Sequence, residues 1–131
     1  MRADSLPKVS VAVHVNGNAL HEYHAESESE HANTAVCYVE AVSGAEFSLV
    51  LTIEPSYAHL KEDLQFRIFL DGNQARSQIV NLPKQKGNYT IATDSVRRYE
   101  DGYSHYRKFT IAPHETSTCH VPTCRENTAN A

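Results

Sequence analysis

The chain has 131 residues, a length that suits one domain better than two. Its hydrophobic share of 40% and charged share of 21% are ordinary for a globular protein, and no apolar run reaches the roughly 18 residues that a membrane-spanning helix requires. The formal net charge of −4 is too small to indicate a nucleic acid or a membrane surface as the partner.

The first predicted element is a strand at residues 9–15. Four valines alternate there with Ser10, Ala12 and His14, which places the valines on one face of a strand. Asn16-Gly17 follows directly, and this pair suits the type I′ turn of a two-residue hairpin. A partner strand is therefore predicted over roughly residues 19–23.

A second hairpin is predicted from residues 34–54. Phe47, Leu49, Leu51 and Ile53 alternate with mostly polar residues, so they predict a strand with one apolar face. Residues 34–42 are rich in β-branched and aromatic side chains, and Ser43-Gly44 supplies a turn between the two runs.

The remaining strands lie between residues 65 and 111. Asp71-Gly72 separates apolar runs at 65–70 and 75–82, which predicts a third hairpin. Residues 89–93 and 106–111 have strand character and are separated by a polar stretch that contains Asp101-Gly102.

About seven short strands without a helical period predict an all-β fold. We expect an antiparallel β-sandwich of jelly-roll or immunoglobulin-like type, with a small β-barrel as the alternative. The predicted domain spans residues 8–112. Residues 113–131 lack any strand or helix pattern and are predicted to form a disordered tail.

Three segments taken together carry a resemblance to a known family. They are VAVHVNGNALHEY at residues 11–23, YVEAVSGAEF at 38–47 and FRIFLDG at 66–72. In this order and spacing they resemble a domain of unknown function that is widespread in fungal proteins, over residues 8–81. The resemblance implies a β-rich domain with no established activity, and it supplies no catalytic or binding residues.

The chain departs from this resemblance after about Ile111. Members of the family usually continue into a further strand that contains alternating valines, and no such strand is visible in residues 112–131. A natural short variant and a gene model that left its proper frame both explain the difference. Either way, the sandwich is predicted to be incomplete at its C-terminal end, with an open sheet edge.

Two groups of side chains are candidates for metal binding. Thiolates and imidazoles ligate zinc, and the tail contains His114, Cys119, His120 and Cys124. The simpler interpretation is that a polar tail holds these residues by chance, because no second paired cysteine motif exists. His21, His24 and His31 lie among glutamates at 22–30, a pattern that is also typical of solvated surface.

Charge is unevenly distributed along the chain. Residues 1–80 carry 5 basic and 11 acidic side chains, whereas residues 81–108 carry 6 basic and 3 acidic ones. Four tyrosines are interleaved with this basic set, and such a surface binds single-stranded nucleic acid by stacking and phosphate contact. Basic edge strands also serve solubility alone, so the 84–108 segment predicts at most weak nucleic-acid binding.

No motif identifies a reaction. Neither a nucleophile elbow nor a phosphate-binding glycine loop occurs, and Cys37 falls within a predicted strand, where an inert thiol is expected. The leading hypothesis is a non-enzymatic binding module with an unidentified protein partner and no cofactor. The alternatives are a metal-binding protein or enzyme that uses the His/Glu or His/Cys groups, and a weak nucleic-acid binder. The odd number of cysteines and the absence of an apolar leader predict an intracellular protein, cytoplasmic or nuclear.

Overall fold

The computed structural model describes residues 1–24, 33–57, 63–81 and 87–113. Within these ranges the chain forms ten β-strands and no helix, so none of them contains a helix that could cross a membrane. The strands are β1 (Val9–Val15), β2 (Asn18–Ala19), β3 (Glu22–Tyr23), β4 (Tyr38–Val39), β5 (Ser48–Ile53), β6 (Asp63–Leu70), β7 (Asn73–Asn81), β8 (Tyr89–Thr93), β9 (Ser95–Glu100) and β10 (Tyr103–Lys108).

An antiparallel sheet of four strands in the order β2-β1-β5-β8 forms one layer of the fold. Its register places Val9 opposite Ile53 and Val11 opposite Leu51, and Leu51 in turn lies opposite Ile91 of β8. Cross-strand partners project from the same face of a sheet. The valines of β1 therefore share one apolar face with alternate residues of β5 and β8.

The β6–β7 hairpin covers this apolar face as the second layer. Side chains of β6 alternate between exposed and half-buried along the whole strand, as expected for one face turned towards a core. Ile53 of the sheet and Val80 of β7 are only 2% and 4% exposed, and Phe66 of β6 packs against this buried pair. The described residues thus form an all-β antiparallel sandwich. None of their sheets closes, so the barrel alternative is wrong for this part of the chain.

A second core cluster joins the C-terminal segment to the sheet. Phe47, Phe109 and Ile111 are buried together, and the two phenylalanine rings lie 5.5 Å apart between centroids. The Phe47 amide donates to the Phe109 carbonyl at 2.9 Å, and the Ile111 amide donates to the Ala45 carbonyl at the same distance. These bonds hold the segment that follows β10 against the chain that leads into β5.

The predicted second hairpin is wrong. Ser43-Gly44 does form a turn, in which the Ala45 amide donates to the Val42 carbonyl at 3.0 Å. However, β4 pairs with β3, whereas β5 pairs with β1 and β8. The apolar row of β5 matches the valines of β1, while Val36 and Val42 remain exposed at 36% and 44%. Burial of apolar surface therefore selected a distant partner strand over the neighbouring one.

Three two-residue turns connect hairpins as the sequence signals indicate. Asn16-Gly17, Asp71-Gly72 and Asp101-Gly102 all have positive φ at both positions, which is the geometry of type I′ turns. The β6–β7 prediction is confirmed, and the first hairpin exists with a shorter second strand than predicted. The third turn joins β9 to β10. The sequence pattern predicts only a polar stretch where β9 forms.

Two isoleucines offer a matched test of this packing. We expect Ile53→Ala to lower the free energy of unfolding by about 2–5 kcal/mol, because it removes a fully buried side chain and leaves a cavity. Ile79→Ala, at a residue that is 66% exposed, should change stability by less than about 0.5 kcal/mol. Urea unfolding followed by circular dichroism measures both values. Equal effects of the two substitutions would contradict the two-layer arrangement.

Candidate interaction site

The hairpin of β9 and β10, called here the tyrosine hairpin, lies outside both layers of the sandwich. Every residue from Arg97 to Lys108 is exposed, and neither strand pairs with any other described strand. Tyr99, Tyr103 and Tyr106 are 72%, 72% and 69% exposed. The described chain therefore presents a two-stranded hairpin with both faces in solvent from Arg97 to Lys108.

Both faces of the tyrosine hairpin combine aromatic and cationic side chains. The register pairs Arg97 with Tyr106 and Tyr99 with Ser104, so these four residues share one face. Arg97 is held there, since its Nε and Nη2 atoms donate to the Ser104 hydroxyl at 2.9 and 2.7 Å. The opposite face carries Arg98, Glu100, Tyr103, His105 and Arg107, with Arg107 and Glu100 forming an ion pair at 3.8 Å.

The base of the tyrosine hairpin is fixed to the sandwich by backbone and side-chain contacts. Val96 packs against the Phe47 cluster, and the Phe109 amide donates to the Asp94 carbonyl at 2.7 Å. The Lys108 ammonium donates to the Asp94 carboxylate. This hydrogen bond lowers the pKa of Asp94 and raises the pKa of Lys108 from their ordinary values.

A small polar cleft lies beside this base. Its volume is about 190 Å³, and it contains Asp94 and Lys108 together with His14 and Glu46. His14 projects from the outer face of the sheet, where it pairs in register with Ser48. The carboxylate, ammonium and imidazole groups that line the cleft can form hydrogen bonds with a polar ligand. Across the described residues, no three acidic, histidine or cysteine side chains are grouped to hold a metal ion.

The model of one protein family, described as a domain of unknown function (DUF7918), matches residues 8–129. The chain belongs to this family. No curated protein and no solved structure matches it. The family match runs on to residue 129, through the segment predicted as a disordered tail, so the absence of a last strand stays a prediction.

The weak zinc-ligand candidates of this DUF7918 domain fall outside the described residues. His114, Cys119, His120 and Cys124 all follow residue 113, so the structure does not test them. His31 and the glutamates at 26, 28 and 30 also fall outside.

The described part of the histidine and glutamate cluster shows other contacts. The His21 and Tyr23 rings meet edge to face at 4.6 Å. Glu22 accepts hydrogen bonds from the Met1 amino group at 2.8 Å. Both interactions are structural in kind. The second gives Glu22 a cationic partner, the Met1 amino group.

Cys37 lies immediately before β4 rather than within a longer strand. It is half-buried, and burial raises the pKa of its thiol, with the negative charge of Glu22 acting in the same direction. Both effects disfavour the thiolate. This environment agrees with the prediction of an unreactive thiol.

The basic, tyrosine-bearing segment is the sequence feature that the structure brings together. Arg97, Arg98, Arg107 and Lys108 lie on one hairpin, while Lys84 and Lys86 are outside the described residues. The sequence pattern marks residues 84–108 as basic and tyrosine-bearing but does not predict β9. The sequence feature that indicates this hairpin is Asp101-Gly102, a pair typical of two-residue turns. It lies midway between β9 and β10, which have equal lengths.

We expect the ion pair at the hairpin base to make stability depend on pH. Because the folded pKa of Asp94 is lowered, its contribution is present above the ordinary aspartate value of 3.8 and is lost as the pH falls through the folded value. Asp94→Asn should therefore lower the thermal midpoint near neutral pH and leave it unchanged where the wild-type carboxyl is protonated.

Thermal unfolding across pH 2 to 7, roughly the range in which aspartate titrates, measures this effect. Asp4→Asn removes the same charge from an exposed residue away from the hairpin and serves as the control. A constant difference between Asp94→Asn and wild type over the whole range would show that the ion pair contributes nothing.

Proposed function

We propose that this DUF7918 domain is a non-enzymatic binding module that contacts a protein partner through the tyrosine hairpin. The observation that carries the proposal is the full exposure of a paired strand segment from Arg97 to Lys108. Isolated two-stranded hairpins are marginally stable in water, and this one gains no sheet partner within the described chain. A surface that adds little to the core while presenting three tyrosines suits recognition.

The composition of the hairpin favours a protein over other partners. Tyrosine and arginine are enriched at protein interfaces, where they contribute a large part of the binding energy. Arg107 and Lys108 already pair with Glu100 and Asp94, which reduces the charge left for phosphate contacts. The chain as a whole carries −4, which opposes association with a polyanion.

Nucleic-acid binding is the second candidate, because Arg97 shares one face with Tyr99 and Tyr106. A guanidinium beside two exposed rings is a chemistry that single strands recognise by stacking and phosphate contact. Such binding would weaken as salt rises, since cations released from the backbone accompany it. Salt dependence therefore separates the two candidates.

An intracellular location accompanies this proposal. It is supported by the odd number of cysteines and by the free, half-buried thiol of Cys37.

The double substitution Tyr99→Ser with Tyr106→Ser tests the hairpin directly. We expect it to reduce partner capture by about tenfold or more, because truncation of a hot-spot tyrosine at an interface centre costs about 2 kcal/mol or more. The measurement is quantitative mass spectrometry of proteins captured from cell extract by the immobilised full chain. A labelled oligothymidylate, titrated with salt, measures the nucleic-acid alternative in parallel.

Tyr23→Ser is the matched control, since Tyr23 is a 51% exposed tyrosine in the separate β3–β4 strand pair. It should leave capture at the wild-type level. Equal amounts of the same captured proteins for wild type and the double variant would contradict the proposal. Salt-sensitive oligothymidylate binding that the double variant loses would instead favour the nucleic-acid candidate.

A further inference from the structure

An apolar cleft lies between the two layers of the sandwich, and no residue of the tyrosine hairpin lines it. Its volume is about 240 Å³. Val11, Leu51 and Ile91 form its floor on the inner face of the central sheet, and residues 66–69 of β6 form its wall. Leu51 and Ile91 also belong to the buried Ile53 cluster, so the cleft opens directly onto the core.

The cleft follows the edge of β6 and not one of its faces. Side chains alternate between the two faces of a strand, so a cleft on one face touches every second residue. This cleft touches Phe66, Arg67, Ile68 and Phe69 in succession. No residue of β7 lines it, which identifies the edge as the one opposite β7. Within the described chain, the backbone groups of that edge have no strand partner.

We propose that this cleft binds an extended peptide segment of another protein, which adds to the free edge of β6 as a third strand. Main-chain hydrogen bonds to β6 would provide affinity, and alternate side chains would enter the cleft. Backbone N–H and C=O groups at a sheet edge form a template for such pairing. The apolar floor then selects which side chains point inward.

The size of the cleft favours side chains over a free small molecule. An apolar cavity of about 150 Å³ holds a group the size of benzene, whereas pockets for drug-sized ligands begin at about 300 Å³. At about 240 Å³, this cleft lies between those sizes. That volume suits two apolar side chains at alternate positions of one strand, and valine or leucine fits the surrounding apolar floor.

The sequence outside the described ranges contains no segment with this alternating pattern. Residues 25–32, 58–62, 82–86 and 114–131 each contain at most one valine, leucine, isoleucine or phenylalanine, so none alternates such residues. A second copy of β6 is also a poor occupant. Its inward side chains, including Phe66, are already packed into its own core.

Arg67 adds charge complementarity to the proposal. It is exposed on the outer face of β6, opposite Ser77, and forms no ion pair with a described residue. A peptide residue that lies between two inward-facing positions projects to the same outer side as Arg67. The expected pattern is therefore an acidic residue between two apolar ones in an extended segment.

The probe for this proposal is a fluorescein-labelled six-residue peptide in which valine alternates with threonine and aspartate. We expect it to bind the full chain more tightly than a scrambled peptide of the same composition. N-methylation of the amides that would face β6 should weaken binding by about tenfold or more, since each lost hydrogen bond contributes about 1 kcal/mol. Fluorescence anisotropy measures all three affinities.

Protein variants provide the second arm of the experiment. Val11→Phe fills the cleft and should abolish peptide binding, whereas Val50→Phe adds the same bulk on the opposite face of the sheet and should not. Arg67→Glu should weaken binding of the acidic peptide. Arg76→Glu, at another exposed arginine on the partner strand β7, should leave it unchanged. Circular dichroism confirms that each variant is folded.

Two outcomes would overturn the proposal. Equal affinity of the N-methylated or scrambled peptide would show that the edge of β6 makes no strand pairing. A wild-type dimer in sedimentation that Val11→Phe dissociates would identify a second copy as the occupant. The tyrosine hairpin is not altered in these measurements, so their failure leaves the proposed function unaffected.

Discussion

The register between β1 and β5 is the constraint on which the remaining structure depends. With Val9 opposite Ile53 and Val13 opposite Leu49, every valine of β1 joins the apolar face of the sheet. A slip of one residue would turn those valines to the outer face and place Ser10, Ala12 and His14 on the inner one. The valines of β1 are half-buried, so each contributes less than the roughly 1.5–3 kcal/mol of a fully buried aliphatic side chain, but all four favour this one register. Both β6–β7 and the Phe109 segment pack on this face.

The tyrosine hairpin forms where the chain leaves the apolar face of the central sheet. Phe109 and Ile111 return the chain to the sandwich, and Asp94 holds the other side of the hairpin base. Between these anchors the strands have only each other to pair with. Residues from Arg97 to Lys108 therefore make almost no contribution to the core. Packing does not determine their identity, so their tyrosines and arginines are more informative about recognition than any core residue.

Sequence patterns predicted those elements in which one face is buried and the turn residues are diagnostic. The β6–β7 hairpin met both conditions and the strand at 89–93 met the first, and the structure confirms both elements. The pairing of β5 was mispredicted because a turn at Ser43-Gly44 shows where the chain reverses but not which strand it meets. β9 was missed because most of its residues are exposed, so no apolar alternation marks it. The candidate site could not be predicted for the same reason. The sequence shows its tyrosines and arginines but not that they lie on one hairpin.

The cleft and the base of the tyrosine hairpin both contact the same part of the core. Leu49 lines the cleft and also packs against the Phe47 cluster, which holds Val96 at the hairpin base. Leu51, two residues later, lines the same cleft and belongs to the Ile53 cluster. An occupant of the cleft would join the two clusters into a continuous core. Because a ligand that binds only the folded state stabilises that state, such an occupant would also strengthen the platform from which the hairpin projects.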